Sequence, residues 1–438
     1  MSQPEQSTQR ANAGRFWTNV GTALSGVVLA QAIPLLGSLA IARLYAPADF
    51  GLYATWLGVV TMLSVILTGR FDMTLAIVAT GRPRAVAVCG TLSTCVLGAL
   101  ALAAAGLPLV WLAPGLMRPL TIPLALLTIP AALGFAASKT WQSWAAASGQ
   151  LRVLSTMRIC QAAVITATQI IVGWFLPSAL GMAGSFLFGV AASVLMSSRL
   201  MPLPLREFDG IRDFRHAVRA YWRANYRFPL LALPADAISA CAAMLPLILL
   251  ANRFGAEVSG LLALAIRVLG APISLLGTAV LDVFWRTSGE SFRERGHCRD
   301  DYLRTFKVLS AGAAAVSIVI VAFSEPLFVL AFGEKWREAG RIAAWLMPMF
   351  ALSFVASPLS FVFYVADKQH VDLAWQLGVL GMTLSAYLLA PSYPMAIRMY
   401  SAGYSLLYLV YLALSWRFSQ GSRVTANEER VKRTGNPS

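Results

Sequence analysis

VSGLLALAIRVLGAPISLLGTAVL, residues 258–281, is an apolar stretch in which Arg267 is the single charged residue. At a rise of about 1.5 Å per residue, a helix of this length crosses the roughly 30 Å apolar core of a bilayer. A guanidinium near the middle of such a helix costs about 2.5–3.5 kcal/mol on insertion scales. The stretch therefore predicts a membrane-spanning helix, and it raises the question of which function compensates for the arginine.

The composition of the whole chain indicates the same environment. Of 438 residues, 58% are hydrophobic and 13% are charged, whereas a soluble domain carries about 25% charged residues. The apolar residues are concentrated in long blocks, nearly all of which reach the roughly 17–25 residues that a spanning helix needs. The sequence predicts an all-α, polytopic membrane protein with about twelve transmembrane helices. The predicted spans are 20–42, 50–69, 85–112, 119–138, 159–176, 178–198, 228–251, 258–281, 308–332, 342–366, 371–391 and 394–416.

The basic residues set the predicted orientation. If the amino terminus starts inside, 27 of the 35 lysines and arginines fall in inner segments and 6 in outer ones, while Arg267 and Arg398 lie within spans. Because positive residues concentrate on the cytoplasmic side of membrane proteins, we expect both termini in the cytoplasm. The inner loops then meet anionic lipid headgroups. Membrane lipids are therefore expected partners, and the net charge of +15 needs no nucleic acid to explain it.

The longest inner connection, 199–227, divides the chain into six spans on each side. The predicted organisation is an amino-terminal six-helix lobe (1–198), this linker, a carboxy-terminal six-helix lobe (228–416) and a disordered basic cytoplasmic tail (417–438). Apolar residues recur every three or four positions in the linker, which predicts an amphipathic helix in the inner headgroup region; a solvated linker is the alternative. The stripe consists of Leu205, Phe208, Ile211, Phe214, Val218 and Tyr221.

The two halves of the chain show short internal matches. The segment around Gly51 matches the segment around Gly260 at an offset of 209, and the segment around Asp72 matches that around Asp282 at an offset of 210. Because each half has six predicted spans, both halves enter the membrane from the same face, and a repeat would be parallel. Chance similarity is the alternative explanation of such short matches.

Several classes of enzyme lack their motifs in this chain. There is no G-x-x-x-x-G-K-[ST] phosphate loop and no H-E-x-x-H metal motif, and the three histidines fall in separate inner loops. A membrane-embedded glycan polymerase or ligase needs a large outer loop, whereas the outer connections here are short. The sequence predicts a transporter rather than an enzyme, with no cofactor and no metal.

Ionisable residues within spans usually face the bundle interior and mark a substrate path. Asp236 and Arg267 lie in the seventh and eighth spans, and Arg398 lies near the start of the twelfth. Mutual neutralisation is the alternative for Asp236 and Arg267, while Arg398 is alternatively a residue that snorkels to the outer surface. The candidate substrate-binding residues are Arg267, Asp236, Arg398, Arg70, Asp72 and Asp282.

The last three candidates, Arg70, Asp72 and Asp282, lie at predicted inner ends of spans, where ordinary interfacial charges are the alternative. A cationic cavity predicts an anionic cargo, because arginine forms fixed two-point hydrogen bonds with phosphate. Gln161 and Gln169 add uncharged hydrogen-bonding groups to the fifth span. They would suit sugar hydroxyls, although hydrogen bonding between helices is the commoner use.

Five stretches of the chain carry a resemblance to a known family. In chain order they are ARLYAPADFGLYATW (42–56), GRFDMTLAIV (69–78), YRFPLLALPADAISACAAMLPLILLANRFG (226–255), SGLLALAIRVLGAPISLLGTAVLDVFW (259–285) and FGEKWREAGRIAAWLMPMFALSFVASPLSFVF (332–363). Together with the span layout, they resemble the bacterial oligosaccharide-lipid flippases of O-antigen and exopolysaccharide synthesis. These flippases form the polysaccharide transporter branch of the multidrug/oligosaccharidyl-lipid/polysaccharide (MOP) superfamily.

The resemblance implies a MATE-like, V-shaped bundle of two lobes that works by alternating access. The implied function is to translocate an undecaprenyl-diphosphate-linked oligosaccharide from the inner to the outer leaflet of the bacterial plasma membrane, for lipopolysaccharide or exopolysaccharide synthesis. In this family, cationic residues of the central cavity are thought to hold the diphosphate, and Arg267 is the match here. The implied partners are the polyprenyl-diphosphate-linked glycan and the glycosyltransferases and polymerase of the same pathway.

Two features limit what the resemblance implies. Related peptidoglycan-precursor flippases carry charged residues in the first span, and this chain has none between 20 and 42. The same absence weakens the alternative function, a cation-coupled multidrug or metabolite antiporter of the same superfamily, whose members often use an acid there. A further alternative is a scaffold that recruits synthesis enzymes through its basic inner loops and transports nothing.

Overall fold

The computed structural model describes residues 28–112, 121–295, 297–360, 362–365 and 369–420, which form helices and no strand. The helices are α1 (Val28–Leu44), α2 (Pro47–Thr68), α3 (Arg82–Leu112), α4 (Ile122–Ala147), α5 (Leu151–Phe175), α6 (Ala179–Leu200), α7 (Ile211–Ala224), α8 (Leu233–Phe254), α9 (Ala256–Arg295), α10 (Arg299–Phe332), α11 (Arg337–Leu359), α12 (Val362–Val365), α13 (Gln369–Leu389) and α14 (Tyr393–Ser419). A 3₁₀ segment, Phe71–Ala76, follows α2, and a π-helical turn, Phe228–Ala232, precedes α8.

Among the described residues, eight helices are long and apolar enough to cross a membrane, and α1 and the Trp375–Leu389 part of α13 are shorter apolar helices. With α9 and α14, these helices are consistent with the predicted count of about twelve spans. The all-α, polytopic membrane fold is therefore confirmed. The structure does not describe the basic residues before residue 28 or the predicted tail from residue 421 onward.

The fifth and sixth spans are two separate helices, although only one proline divides their apolar blocks in the sequence. α5 ends at Phe175, and α6 begins at Ala179 with the Ser178 hydroxyl accepting a hydrogen bond from the Gly181 amide at 3.1 Å. A serine in this position satisfies one of the free amides at the start of a helix. The cap and Pro177 together explain why the chain turns here.

Two helices extend well beyond the spans that hydropathy predicts. α9 contains 40 residues and α10 contains 34, which correspond to about 60 Å and 50 Å and so exceed the roughly 30 Å apolar core of a bilayer. The predicted inner connection between 281 and 308 is therefore largely helical, because α9 continues to Arg295 and α10 begins at Arg299. Hydropathy marks where a helix leaves the apolar layer, whereas the helix itself continues through polar residues.

The chain divides into two compact units, residues 1–260 and 261–438. In the first unit, Trp56 is fully buried and its indole nitrogen donates to the Leu124 carbonyl at 2.9 Å, joining α2 to α4. In the second unit, Phe363 and Trp375 pack against Tyr411 of α14, with ring centroids 4.6 and 5.1 Å away. The lobe boundaries at 198 and 228 stay a prediction about the arrangement in the membrane.

The linker contains the predicted amphipathic helix, α7. Part of its apolar stripe packs against other helices of the chain. Val218 and Tyr221 are buried, whereas Ile211 and Leu205 are exposed. The buried part of the stripe packs on α3 and on the 3₁₀ segment rather than facing away from the chain. The helix is therefore a docked element of the first unit.

Candidate substrate site

The turn after α2 holds Arg70 in a backbone conformation that is unusual for an arginine. Gly69 and Arg70 both have φ of 57°, and Arg70 is the one non-glycine with positive φ in the part of the chain that the structure describes. A left-handed non-glycine residue costs on the order of 1–3 kcal/mol, and such residues concentrate at functional sites. The turn ends α2 and directs the Arg70 side chain toward α8.

The Arg70 side chain joins three segments of the first unit. Its Nε atom lies 2.6 Å from Oδ2 of Asp236, in the first turn of α8, and its Nη1 atom lies 3.8 Å from Oδ2 of Asp72. The Nε–H group does not point at the Asp236 carboxylate, so the contact is an ion pair without a well-formed hydrogen bond. Two predicted site residues of the inner end, Arg70 and Asp72, are thus brought together with Asp236.

Asp236 was a candidate for neutralising Arg267, and the structure instead gives it Arg70 as a close partner. Its side chain is 41% exposed, whereas that of Arg70 is 20% exposed. The pair is therefore solvated on the aspartate side, where a competing anion can approach the guanidinium. Such partly exposed pairs contribute only about 0–1 kcal/mol to stability, so an anionic ligand can displace the carboxylate.

Lys139 is a further member of this cluster, although the predicted span 119–138 leaves it in an inner connection. It lies inside α4, because the helix continues to Ala147 beyond the predicted end of the span at 138. Its ammonium lies 4.8 Å from the centre of the Phe135 ring and interacts electrostatically with Asp72 and Arg70. The buried Trp141 and Ala145, which continue the helical periodicity past the lysine, are the signal that could have revealed this.

The cluster of Arg70, Asp72, Lys139 and Asp236 contains two cations and two carboxylates. Its charges cancel within the protein, which lowers the cost of keeping them near the apolar layer. One oxygen of Asp72, Oδ1, is buried without a hydrogen-bond partner. Chemically, the arrangement can exchange an internal carboxylate for the phosphate of a ligand at the two cations.

Gln161 and Gln169 hold helices together. Gln161 Oε1 accepts hydrogen bonds from the Ser138 hydroxyl at 3.0 Å and from Gln142 Nε2 at 2.9 Å, which joins α5 to α4. Gln169 Nε2 donates to the Tyr53 hydroxyl at 2.8 Å, which joins α5 to α2. Both glutamines are buried and bonded to neighbouring helices. The structure therefore favours hydrogen bonding between helices over binding of sugar hydroxyls.

In the second unit, Arg267 lies on α9, is half-buried and has an interaction partner within the protein. Its neighbours Val268 and Leu269 line an apolar cavity of about 260 Å³ between α9, α10 and α11. Arg267 itself does not line that cavity, whose lining includes Phe350 and Phe354. The residues that follow the arginine on α9 thus lie in apolar surroundings.

The remaining candidates have different surroundings. Arg398 is exposed and its guanidinium lies 4.4 Å from the centre of the Trp345 ring on α11. A cation over an indole face at the start of a span is typical of interfacial anchoring, as the snorkelling alternative predicts. Asp282 lies on α9, and its side chain is outside the described part of the structure.

Comparison with known proteins identifies relatives in polysaccharide synthesis. A family described as "Polysaccharide biosynthesis protein" matches residues 40–341, more than half of the chain. The teichuronic acid biosynthesis protein TuaB of Bacillus subtilis (strain 168) is 24% identical over 188 residues. The aligned region spans 42% of this chain and 37% of TuaB, so this chain matches little more than a third of that relative's length.

Solved structures of transporters share the fold. The lipid II flippase MurJ, in an inward closed conformation, has a TM-score of 0.68 at 10% identity and covers 94% of this chain and 92% of its own. An inward-facing MATE family multidrug resistance transporter of the MOP superfamily has a TM-score of 0.58 at 13% identity, with 95% and 96% coverage. At such low identity, the likeness shows that the helices have the arrangement of these transporters.

Proposed function

The chain belongs to the polysaccharide biosynthesis protein family, and we propose that it carries a lipid-linked oligosaccharide across the bacterial plasma membrane by alternating access. The proposed cargo is an undecaprenyl-diphosphate-linked oligosaccharide that moves from the inner to the outer leaflet. Family membership, the transporter fold and the multi-pass membrane character support a transporter. Both termini lie in the cytoplasm on this proposal, next to the glycosyltransferases that make the cargo.

The observation that carries the choice of cargo is the half-buried Arg267 on an otherwise apolar span. Inserting an arginine there costs about 2.5–3.5 kcal/mol, and an apolar residue would pack the helix without that cost. Arginine binds phosphate through two parallel hydrogen bonds, so a diphosphate is a ligand whose binding would compensate for the insertion cost. Arg70, whose partner Asp236 is partly exposed, supplies a second cationic group that prefers phosphate.

The membrane potential favours export of such a cargo. A diphosphate with about two negative charges moves from the negative inside to the positive outside, which at 100 mV is worth about 4.6 kcal/mol. Removal of the product outside adds to this driving force. Transport on this proposal needs no coupled cation, and dissipating the potential in proteoliposomes should slow it.

The test is a flipping assay in proteoliposomes with a fluorescent undecaprenyl-diphosphate oligosaccharide. Arg267→Lys keeps the charge and removes the two-point geometry, so we expect a loss of about tenfold or more in the initial rate, equivalent to about 1.4 kcal/mol or more. The matched control is Arg152→Lys at an exposed position of α5, which should retain the wild-type rate.

Three outcomes would contradict the proposal. Unchanged flipping by Arg267→Lys, with unchanged melting temperature, would exclude a phosphate-binding role for this residue. Flipping that is equally fast without a membrane potential would exclude the proposed driving force. Wild-type protein that exchanges cationic drugs for protons or sodium and does not flip the glycolipid would establish the antiporter alternative.

A further inference from the structure

α7 is fixed to the beginning of α3 at two places. At one end, Arg82 Nη2 lies 2.7 and 2.8 Å from the two carboxylate oxygens of Asp213. At the other end, the Trp222 indole nitrogen donates to the Gly90 carbonyl at 3.3 Å. The contacts follow the same order along both helices, so α7 runs beside the first turns of α3.

A buried tyrosine makes this docking specific. The Tyr221 hydroxyl hydrogen-bonds with the Thr74 hydroxyl, and its ring packs against Phe71 with centroids 5.4 Å apart. A Cβ atom at Gly90 would come within 2.6 Å of the Tyr221 ring, so a glycine is needed on α3. α7 therefore has a defined position in the first unit, and the space between α7 and α3 has a defined shape.

That space is a crevice of about 510 Å³ between α3 and α7. Small-ligand sites in proteins occupy roughly 300–1,000 Å³. Leu92, Val96 and Leu97 of α3 line one side, and Phe214 and Val218 of α7 line the other. The lining is almost wholly apolar, as is suitable for a hydrocarbon chain.

The crevice opens onto the apolar outer face of α3. Val96, Leu97 and Leu100 are 48%, 54% and 62% exposed in the protein alone. On a helix that spans a bilayer, such exposed apolar residues face the lipid. An acyl chain that lies along this face of α3 can therefore enter the crevice without crossing polar surface.

Two arginines stand at the polar side of the crevice. Arg215 and Arg219, one helical turn apart on α7, both belong to its lining. Within the described part of the chain, neither forms a hydrogen bond or an ion pair, in contrast to Arg82, which is paired with Asp213. Two guanidinium groups on one side of a helix, a single turn apart, can both donate charge-assisted hydrogen bonds to one phosphate group.

We propose that the crevice between α3 and α7 binds one anionic phospholipid of the surrounding leaflet. Its phosphate lies between Arg215 and Arg219, and one acyl chain occupies the space between Leu97 and Val218. The occupant is a bulk phospholipid rather than the cargo, because the crevice opens sideways to the lipid-facing surface of α3. This site is independent of Arg70 and Arg267, and the inference does not rest on the proposed function.

The experiment is native mass spectrometry of the full-length protein titrated with phosphatidylglycerol or phosphatidylcholine. We expect one high-affinity phosphatidylglycerol adduct, and a weakening of that adduct by about tenfold in Arg215→Gln/Arg219→Gln, equivalent to about 1.4 kcal/mol. The matched control is Arg212→Gln/Arg223→Gln, which removes the same charge from exposed positions of α7 outside the crevice. The control should bind within about twofold of wild type, since general attraction alone is screened and diffuse.

A second pair of variants tests the apolar part without any change in charge. Val96→Trp fills the mouth of the crevice and should abolish the adduct, whereas Leu100→Trp, further along the same face of α3, should leave it intact. Equal weakening by both arginine pairs would overturn the proposal in favour of diffuse charge attraction. Equal affinity for phosphatidylcholine, or displacement of the adduct by undecaprenyl phosphate at lower concentration, would also overturn it.

Discussion

Gly51 of α2 and Gly260 of α9 lie against each other so closely that neither position has room for a side chain. A Cβ atom at Gly51 would collide with the Ala256 carbonyl oxygen, and one at Gly260 would collide with the Pro47 carbonyl oxygen. An offset of 209 converts one colliding pair into the other, because Gly51 corresponds to Gly260 and Pro47 corresponds to Ala256. The contact is thus two-fold symmetric in the manner of an isologous interface, as the predicted parallel repeat requires.

Enlarging either glycine should destabilise the protein. Gly51→Ala and Gly260→Ala each push a methyl group into backbone that cannot rotate away, so we expect a loss of about 1–3 kcal/mol in each. The measurement is thermal unfolding of the purified protein in detergent, followed by tryptophan fluorescence. Close approach of backbones at small residues is the usual basis of tight helix crossings in membranes.

The control for this prediction is Gly184→Ala on α6, where an added Cβ would meet nothing within 4 Å. An alanine there should raise the melting temperature slightly, because glycine costs about 0.5–1 kcal/mol in a helix interior. Equal stability of the Gly51 and control variants would show that the α2–α9 crossing has room to adjust.

The spans were predictable because the cost of exposing polar groups to lipid leaves a strong signal in hydropathy. The helix ends were not predictable, because α4, α9 and α10 continue through polar residues. Hydropathy detects only the part of a helix that lies in the apolar layer. Lys139 was therefore assigned to a loop. The Arg70–Asp236 pair was also beyond reach, since it depends on a left-handed arginine and joins residues far apart in the chain.

Removing the amide of Gln169 should weaken the packing of α5 on α2. Gln169→Leu deprives the Tyr53 hydroxyl of its donor, and hydrogen bonds between membrane helices are worth about 0.6 kcal/mol on average and at most about 1.7 kcal/mol. We expect a decrease of that size in stability without a change in cargo specificity. Gln150→Leu, at an exposed position before α5, is the control and should be neutral. A change in the sugars that Gln169→Leu transports would restore the ligand interpretation.

Tyr221→Phe should loosen the docking of α7. It removes the hydrogen bond with Thr74, whose hydroxyl keeps the Phe71 carbonyl as a second partner, so we expect a loss of about 1 kcal/mol. The exposed Tyr226→Phe is the control. Proteolysis within the 199–227 linker, measured as a cleavage rate, should rise in Tyr221→Phe alone.

The effect of Tyr221→Phe should not vary with pH in the physiological range. Burial raises the pKa of Tyr221 above the ordinary value for tyrosine, although its hydrogen bond with Thr74 opposes the shift. The folded protein therefore keeps this proton when the unfolded chain begins to lose it, near pH 10. The stability that wild type has over Tyr221→Phe should therefore be constant below that pH and decrease above it. A crossing of the two stability curves near neutral pH would contradict the assignment.

The Arg70–Asp236 pair should act as an exchangeable partner for the cargo phosphate. Asp236→Asn removes the closer carboxylate and leaves Asp72 as the partner of the guanidinium, so Arg70 should bind cargo more tightly and lower KM, while slower release should lower kcat. Arg70→Gln removes the cation and should raise KM by about tenfold, equivalent to about 1.4 kcal/mol. Asp213→Asn is the control, since its partner Arg82 lies outside the cluster. If Asp236→Asn raises KM as much as Arg70→Gln does, the pair is a structural clamp between the end of α2 and α8, and the cargo phosphate binds elsewhere.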